Sequence, residues 1–313
     1  MSLSHLAGLH SVKRLLPALS RAEAGVHAVL LYGVAGSGKS AVADALAQAW
    51  LCTAPTSEGA CGECRSCLAF GRGASADFER IEPQPPSRII RLGAIVERKE
   101  SSELPGLPIQ TFFRTPPLMA RHRVVVIEDC DRLNVDAANA LLKTLEEPHP
   151  HAKLVLTTSA VGAVLATIRS RCLAVACELP AGEELLSAFG ELAEEEALIA
   201  QGAPGALAQI RAHPDAAREM VSLVRDLDAA TPGAALAMAE RFRAVADALA
   251  DRLKLPARLA NALALEQLGT CAHGLYPQRT DWANAIAEAH RRILGNGNPG
   301  LVFDALFAEL GAS

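Results

Sequence analysis

The segment GVAGSGKS, from Gly33 to Ser40, has the residue types and the spacing of a phosphate-binding loop. It follows the apolar run HAVLLY and precedes the helix-forming run AVADALAQAW, which is the strand-then-helix context that such a loop requires. Glycines at Gly33, Gly36 and Gly38 let backbone N–H groups turn toward phosphate oxygens. Lys39 can reach the β- and γ-phosphates, and Ser40 can ligate Mg²⁺. The loop therefore predicts binding of ATP or ADP with Mg²⁺; the alternative is a glycine-rich turn that holds no nucleotide.

Two acidic residues, Glu128 and Asp129, directly follow the β-branched run VVVI at residues 124–127. Such a run predicts a buried strand, and the carboxyl end of a parallel strand opens on the ligand crevice. Carboxylates there can hold Mg²⁺ and orient an attacking water. We expect both acids to face the phosphate loop, although acids that merely end a strand are the alternative.

Four of the eight cysteines are clustered in the segment LCTAPTSEGACGECRSCLAF. Thiols separated by two residues can converge on one ion, and a longer loop can return a fourth ligand. We expect a structural Zn²⁺, because four thiolates leave no open coordination position for catalysis. A redox role for the C-x2-C pairs is the alternative. The predicted ligands are Cys52, Cys61, Cys64 and Cys67, and the thiols expected to be buried and apolar are Cys130, Cys172, Cys177 and Cys271.

The elements that must position these groups alternate between strands and helices from about residue 27 to residue 177. The candidate strands are HAVLLY, DFERIE, RVVVIED, KLVLTTS and CLAVAC. This alternation predicts a parallel sheet covered by helices on both faces. We expect one αβ domain over residues 1–177, with the zinc module inserted at residues 52–67.

After residue 180 the sequence has no further candidate strand and is rich in Ala, Leu and Glu. Breaks near His213-Pro214 and Thr231-Pro232-Gly233 divide it. We expect a small helical domain at residues 178–214 and a larger helical bundle at residues 215–313. One helical stripe of the bundle has apolar residues at steps of three and four, namely Met238, Phe242, Val245, Leu249 and Leu253.

The segment NVDAANALLKTLEEP, residues 134–148, has the pattern of an amphipathic helix with Asn134 as its N-cap. Its last turn carries Glu146 and Glu147, where the helix dipole disfavours acids by about 0.3 to 1 kcal/mol each. The simplest interpretation is a tolerated, solvent-exposed pair.

The phosphate loop, VVVIED, NALLKTLEEP, LTTS and the triplet Ser170-Arg171-Cys172, in this order, resemble the AAA+ clamp-loader family of DNA replication. The resemblance covers about residues 1 to 210. It implies an AAA+ nucleotide-binding domain, a small three-helix lid and a helical collar by which five subunits form a ring. The implied partners are gamma/tau motor subunits and delta in this hetero-pentamer, the sliding clamp, and primer–template DNA through the complex.

The resemblance also implies roles for single residues. Arg171 would project from the subunit edge as an arginine finger. This agrees with its chemistry, because a guanidinium can stabilise charge on a transferred phosphoryl group and Arg171 has no acidic neighbour close in sequence. An ordinary surface arginine is the alternative. Thr157 or Thr158, at the end of the LTTS strand, resembles the polar sensor of the γ-phosphate.

Two departures separate this sequence from the motor subunits that it resembles. Motor subunits have Asp-Glu where this chain has Glu128-Asp129, and an arginine in the lid where this chain has Gly205, within GAPGAL. The GAPGAL run is similar to delta-prime-type subunits, and the chain ends at Ser313 without the long extension of a tau subunit. The resemblance therefore implies weak or vestigial ATP binding, little hydrolysis, and an Arg171 offered in trans to a neighbouring motor subunit.

Composition excludes some classes of function. The formal net charge of −5 argues against a polycation that coats nucleic acid by itself, so any DNA contact should be local and made to backbone phosphates. The apolar runs are far shorter than the roughly 18 residues of a membrane span, and the N-terminus lacks the pattern of a secretion signal. We expect no membrane contact and a cytoplasmic location.

Two other functions remain open from the sequence. One is an active gamma/tau-type motor ATPase of the same loader, and the other is an unrelated phosphate-loop kinase. A proline-rich stretch within residues 85–122 contains Phe112 and Phe113, whose side chains could contact a partner or pack locally.

Overall fold

The computed structural model describes most of the chain. The described residues are 8–19, 25–56, 59–83, 89–97, 106–193, 196–197, 200–212, 214–228, 234–253, 256–295 and 297–311. The chain divides into two compact units, one of residues 1–84 and 88–188 and the other chiefly of residues 189–313.

The first unit contains a parallel five-stranded sheet in the order β2-β3-β4-β1-β5. All five strands predicted from the sequence are present. They are β1 (Ala28–Tyr32), β2 (Phe78–Ile81), β3 (Arg123–Ile127), β4 (Ala152–Thr158) and β5 (Leu173–Ala176). The helices of this unit are α1 (His10–Leu19), α2 (Lys39–Leu51), α3 (Arg65–Gly71), α4 (Ile109–Phe113), α5 (Val135–Glu146), α6 (Ala166–Arg169) and α7 (Gly182–Phe189).

Both faces of the sheet are buried, as the αβ alternation predicts. On one face Leu30 and Val125 pack with residues of α4 and α5. On the other face Leu31 and Val126 pack with α1 and α2, including the fully buried Trp50. Strand side chains alternate between the two cores, which explains the mostly apolar composition of the central strands.

The segment around Phe112 and Phe113 is part of the first core. Both aromatic side chains are buried against the sheet face that α5 covers, with ring centroids 5.5 Å apart. Local packing is therefore their role. Residues 84–88 and 98–105 of the same proline-rich stretch lie outside the described residues.

The second unit is helical in its described residues. Its helices are α8 (Pro204–Ala212), α9 (Pro214–Asp228), α10 (Ala235–Leu253), α11 (Ala257–Leu275), α12 (Thr280–Leu294) and α13 (Pro299–Leu310). The predicted stripe on α10 is buried at Met238, Phe242, Val245 and Leu249; the side chain of Leu253 lies outside the described part. Phe242 packs edge-to-face on Phe303 of α13 at 4.9 Å.

The predicted boundary at Pro214 coincides with the start of α9. A lid at residues 178–214 and a collar at residues 215–313 stay predictions. Among the described helices, none combines the length and the apolar character needed to cross a bilayer.

Candidate functional site

The phosphate loop connects β1 to α2, as its sequence predicts. Gly38 precedes α2 with φ of 91°, a left-handed conformation that favours glycine. A Cβ on Gly33 would lie 2.5 Å from the carbonyl oxygen of Cys177, so this position has no room for a side chain. The two glycines are therefore needed by the loop itself.

Lys39, the first residue of α2, lies along the loop. Its Nζ donates to the carbonyl oxygens of Gly33 at 2.9 Å and Val34 at 2.8 Å. Burial lowers the pKa of this ammonium below its usual value, although the nearby Cys177 and Asp129 act in the opposite direction. The ammonium is thus held by groups that an incoming phosphate would replace.

Ser37 adds a polar atom to the loop interior. Its side chain is buried, and no group in the described part of the chain hydrogen-bonds its Oγ. A buried hydroxyl without a partner is costly, and a phosphate oxygen would satisfy it. The loop residues therefore fit a nucleotide phosphate.

Glu128 lies beside the loop and joins it to the neighbouring strand. Its Oε2 accepts hydrogen bonds from Ser40 Oγ at 3.2 Å and from Thr157 Oγ1 at 2.6 Å. Asp129 has φ of 47°, and its backbone N–H donates to Thr157 Oγ1 at 3.2 Å. The structure therefore brings together Ser40, Glu128, Asp129 and Thr157, as their positions at strand ends predict.

Thr158 faces a different acid. Its Oγ1 donates to Asp131 Oδ1 at 2.6 Å, while its backbone oxygen accepts from Gly33 N at 3.3 Å. Of the two threonines that could sense the γ-phosphate, Thr157 is the one that bonds Glu128 and Asp129. The sensor role itself stays a prediction.

Arg80 is a site residue that sequence reasoning missed. It lies on β2, in register with Val126 of β3, and its guanidinium bonds both Glu128 and Asp44 of α2. A partial signal was available, because carboxyl ends of parallel strands share one edge of a sheet and DFERIE has a basic residue, Arg80, near its carboxyl end.

The four clustered cysteines converge. Their sulfur atoms all lie within 4.8 Å of one another, with separations of 3.5 Å for Cys52 and Cys61 and 3.9 Å for Cys52 and Cys64. Four sulfurs at about 2.3 Å from a tetrahedral zinc lie about 3.8 Å apart. The arrangement of Cys52, Cys61, Cys64 and Cys67 therefore fits Zn²⁺.

Backbone N–H groups support these sulfurs. Cys61 N donates to Cys52 Sγ, Cys64 N to Cys61 Sγ and Cys67 N to Cys64 Sγ, at 3.3 to 3.5 Å. Burial acts to raise the pKa of Cys64, but hydrogen bonds from Thr53 and Cys67 outweigh it and lower the pKa to about 5. Donors aimed at sulfur stabilise the thiolate form that a metal requires.

The cysteine module joins two helices. Cys52 directly follows α2, and Cys64 is the N-cap of α3. All eight thiols are free; Cys130, Cys177 and Cys271 are buried as expected. Cys172 departs from that expectation because it is only half-buried.

Arg171 has an acidic partner that is distant in sequence. Its Nη2 lies 2.7 Å from Glu146 Oε1, and its Nη1 donates to Thr167 O at 3.0 Å. Glu146 is solvent-exposed, as predicted, and in addition it pairs with this guanidinium. The side chain of Arg171 remains 35% exposed, so its guanidinium is accessible.

Arg171 and the phosphate loop lie at opposite ends of the sheet. Arg171 precedes β5, whereas Gly33 follows β1, and these strands are parallel and paired from Val29 with Leu173 to Tyr32 with Ala176. Strand residues rise about 3.3 Å each, so the strand alone separates the two ends by about 10 Å. Arg171 therefore lies at the opposite end of the sheet from its own loop.

Residues 10–180, which contain this site, match a known protein family. The family model described as "DNA polymerase III, delta subunit" matches residues 10–180, more than half of the chain. The chain belongs to this family. The match includes the phosphate loop, the Glu128 cluster, the cysteine module and Arg171.

Relatives of this family include clamp-loader subunits. The chain is 40% identical over 154 residues to DNA polymerase III subunit delta' of Pseudomonas aeruginosa, covering 49% of this chain and 44% of the relative. It is 32% identical over 157 residues to subunit delta' of Escherichia coli, covering 50% and 44%. The chain thus spans less than half the length of these relatives.

A solved structure has a similar fold over most of the chain. A DNA polymerase III gamma subunit-related protein of Thermotoga maritima matches with a TM-score of 0.56 and 20% identity, covering 96% of this chain and 99% of that one. The predicted fold class, a parallel-sheet domain followed by helices, is therefore confirmed.

Proposed function

We propose that this chain acts as the delta-prime subunit of a DNA polymerase III clamp loader, in a hetero-pentamer with gamma/tau motor subunits and delta. The complex would load the sliding clamp onto primed DNA. Membership of the family and the similarity to delta' subunits support this proposal. Residues 178–214 would form the lid and residues 215–313 the collar that joins the ring.

The position of Arg171 carries the proposal. Because it lies at the amino end of the sheet, it is too far from its own phosphate loop to act there. Its exposed guanidinium suits a neighbouring subunit, where it would stabilise negative charge that develops on a transferred phosphoryl group. The chain would thus contribute to hydrolysis in trans.

The chain's own loop would bind ATP or ADP weakly, with little or no turnover. The loop glycines, Lys39 and the unpartnered Ser37 Oγ support phosphate binding. The exchanged acid order at Glu128-Asp129 and the glycine at position 205 argue against efficient hydrolysis. The four-cysteine module would hold a structural Zn²⁺ that fixes the junction of α2 and α3.

The test is Arg171→Ala in a loader reconstituted with clamp and primed DNA, with ATPase and clamp loading measured. Arginine fingers contribute on the order of 10³ to 10⁵ in rate at a single site, and the whole-complex loss should be smaller because only one active site faces this subunit. Arg171→Lys should restore little, because an ammonium does not reproduce the planar fork of donors.

Arg169→Ala is the matched control, since Arg169 is an exposed arginine two residues away on α6. It should assemble and load as the wild type does. Wild-type loading by Arg171→Ala across a range of ATP concentrations would make Arg171 an ordinary surface residue. Robust steady-state hydrolysis by the isolated chain would instead favour the motor-ATPase alternative.

A further inference from the structure

Arg80 projects from the carboxyl end of β2 toward the phosphate loop. Phe78, two residues earlier on the same strand, packs on the sheet face that α2 covers, and Arg80 therefore shares that face. Its Nη1 bonds Glu128 Oε1 and its Nη2 bonds Asp44 Oδ1. One guanidinium thus bridges the acid after β3 and an acid on the phosphate-loop helix.

The bonds of Glu128 leave neither carboxylate oxygen without a partner. Oε1 takes Arg80, while Oε2 accepts from Ser40 and Thr157. The side chain of Glu128 is 13% exposed, so water has little access to it. Ser40, Glu128 and Asp129 are the groups predicted to hold Mg²⁺. Two of them, Ser40 and Glu128, are bonded to each other, and Glu128 is also bonded to a cation of the chain itself.

The magnesium predicted from the sequence does not fit this arrangement. Mg²⁺ demands near-octahedral oxygen ligands at about 2.0 to 2.1 Å and keeps several waters. A guanidinium is always protonated, so a divalent ion at Glu128 would be repelled by Arg80 or would have to displace it. Displacement would break the bond of Arg80 to Glu128.

We propose that Arg80 takes the place of magnesium at this loop, so that a nucleoside di- or triphosphate binds here without a divalent cation. The proposal rests on the nucleotide binding proposed above. Arg80 neutralises the acids beside the loop, which would otherwise repel phosphate, and Lys39 supplies the charge at the phosphates. The arginine provides charge but no metal-bound water, which agrees with binding without turnover.

The test compares the affinity of the wild type for fluorescent ADP and ATP in excess EDTA and in millimolar MgCl₂. We expect the two Kd values to agree within about threefold for each nucleotide. Arg80→Ala should weaken binding in EDTA by about tenfold or more and should regain affinity when magnesium is added. Arg72→Ala, which removes an exposed arginine beyond α3, is the matched control and should behave as the wild type.

The wild-type comparison decides the question even if Arg80→Ala does not fold. Wild-type binding that is about tenfold or more tighter in magnesium than in EDTA overturns the role of Arg80 and leaves nucleotide binding intact. Absence of wild-type binding in both buffers overturns the role of Arg80 together with the proposed nucleotide site. Circular dichroism of each variant separates a lost site from a lost fold.

Discussion

The Nη2 atom of Arg171 lies 2.7 Å from Oε1 of Glu146, which joins the start of β5 to the last turn of α5. The helix dipole disfavours an acid in that turn, and the arginine offsets this penalty. Both side chains are partly exposed, at 35% and 49%, and exposed ion pairs contribute about 0 to 1 kcal/mol. The pair therefore orients Arg171 more than it stabilises the fold.

Glu146→Gln should test this orientation. We expect the free energy of unfolding to change by less than about 1 kcal/mol, because the pair is exposed. ATPase of the reconstituted loader should fall by a smaller factor than with Arg171→Ala, since the guanidinium keeps its charge but loses an anchor. Glu147→Gln, at the next exposed position, is the control. Unchanged activity in Glu146→Gln would show that the pair does not position Arg171.

Asp77 should be among the costliest residues of the first unit to replace. Its fully buried carboxylate accepts hydrogen bonds from the backbone N–H groups of Leu118, Met119 and Ala120 at 2.7 to 2.9 Å and lies near Arg123. Removing one partner of a buried charge pair costs about 3 to 5 kcal/mol. Urea denaturation of Asp77→Ala should show that the free energy of unfolding falls by this amount.

Asp136→Ala provides the comparison for Asp77→Ala. Asp136 is exposed in the first turn of α5, where an acid contributes about 0.3 to 1 kcal/mol through the helix dipole. If the free energy of unfolding fell by similar amounts in the two variants, the stabilising role of the buried Asp77 carboxylate, which bonds residues 118–120, would be contradicted.

The sheet and the phosphate loop could be predicted because their signals are local. Strands β1, β3 and β4 are short, mostly apolar runs that are buried on both faces of the sheet, so an apolar run predicts each of them. Asn134 was likewise readable as an N-cap, and its side chain accepts from Ala137 N at 2.8 Å. The cysteine cluster also lies within one short segment.

The ion pairs of Arg80 and Arg171 could not be predicted from local sequence patterns. Arg80 and Glu128 are 48 residues apart, and the contact exists only because β2 and β3 are neighbours in a parallel register. The partner of Arg171 depends on where the end of α5 lies against the start of β5. The sequence shows which residue types are present, but it shows neither the order of strands in the sheet nor where a helix ends against a strand. These two ion pairs depend on both.

The cysteine module should bind one Zn²⁺ per chain. Protein purified without chelator should contain close to one equivalent by metal analysis, because the four sulfurs already converge within 4.8 Å of one another. Cys64→Ser should lose the metal and destabilise the first unit more than it changes nucleotide affinity. Cys271→Ala changes a buried thiol outside the cluster and should keep the zinc. Less than about half an equivalent in the wild type, with four readily titrated thiols, would contradict the metal site.

Lys39 should determine whether the loop holds nucleotide. Its Nζ now bonds the carbonyl oxygens of Gly33 and Val34, and a phosphate would offer it a charged partner instead. Lys39→Ala should therefore weaken the binding of fluorescent ATP and ADP by about tenfold or more in titrations, with the fold unchanged by circular dichroism. Lys143→Ala, which removes an exposed lysine on α5, should bind as the wild type does. Equal affinity of Lys39→Ala and the wild type would mean that bound nucleotide does not occupy this loop, and the loop would then be a structural turn between β1 and α2.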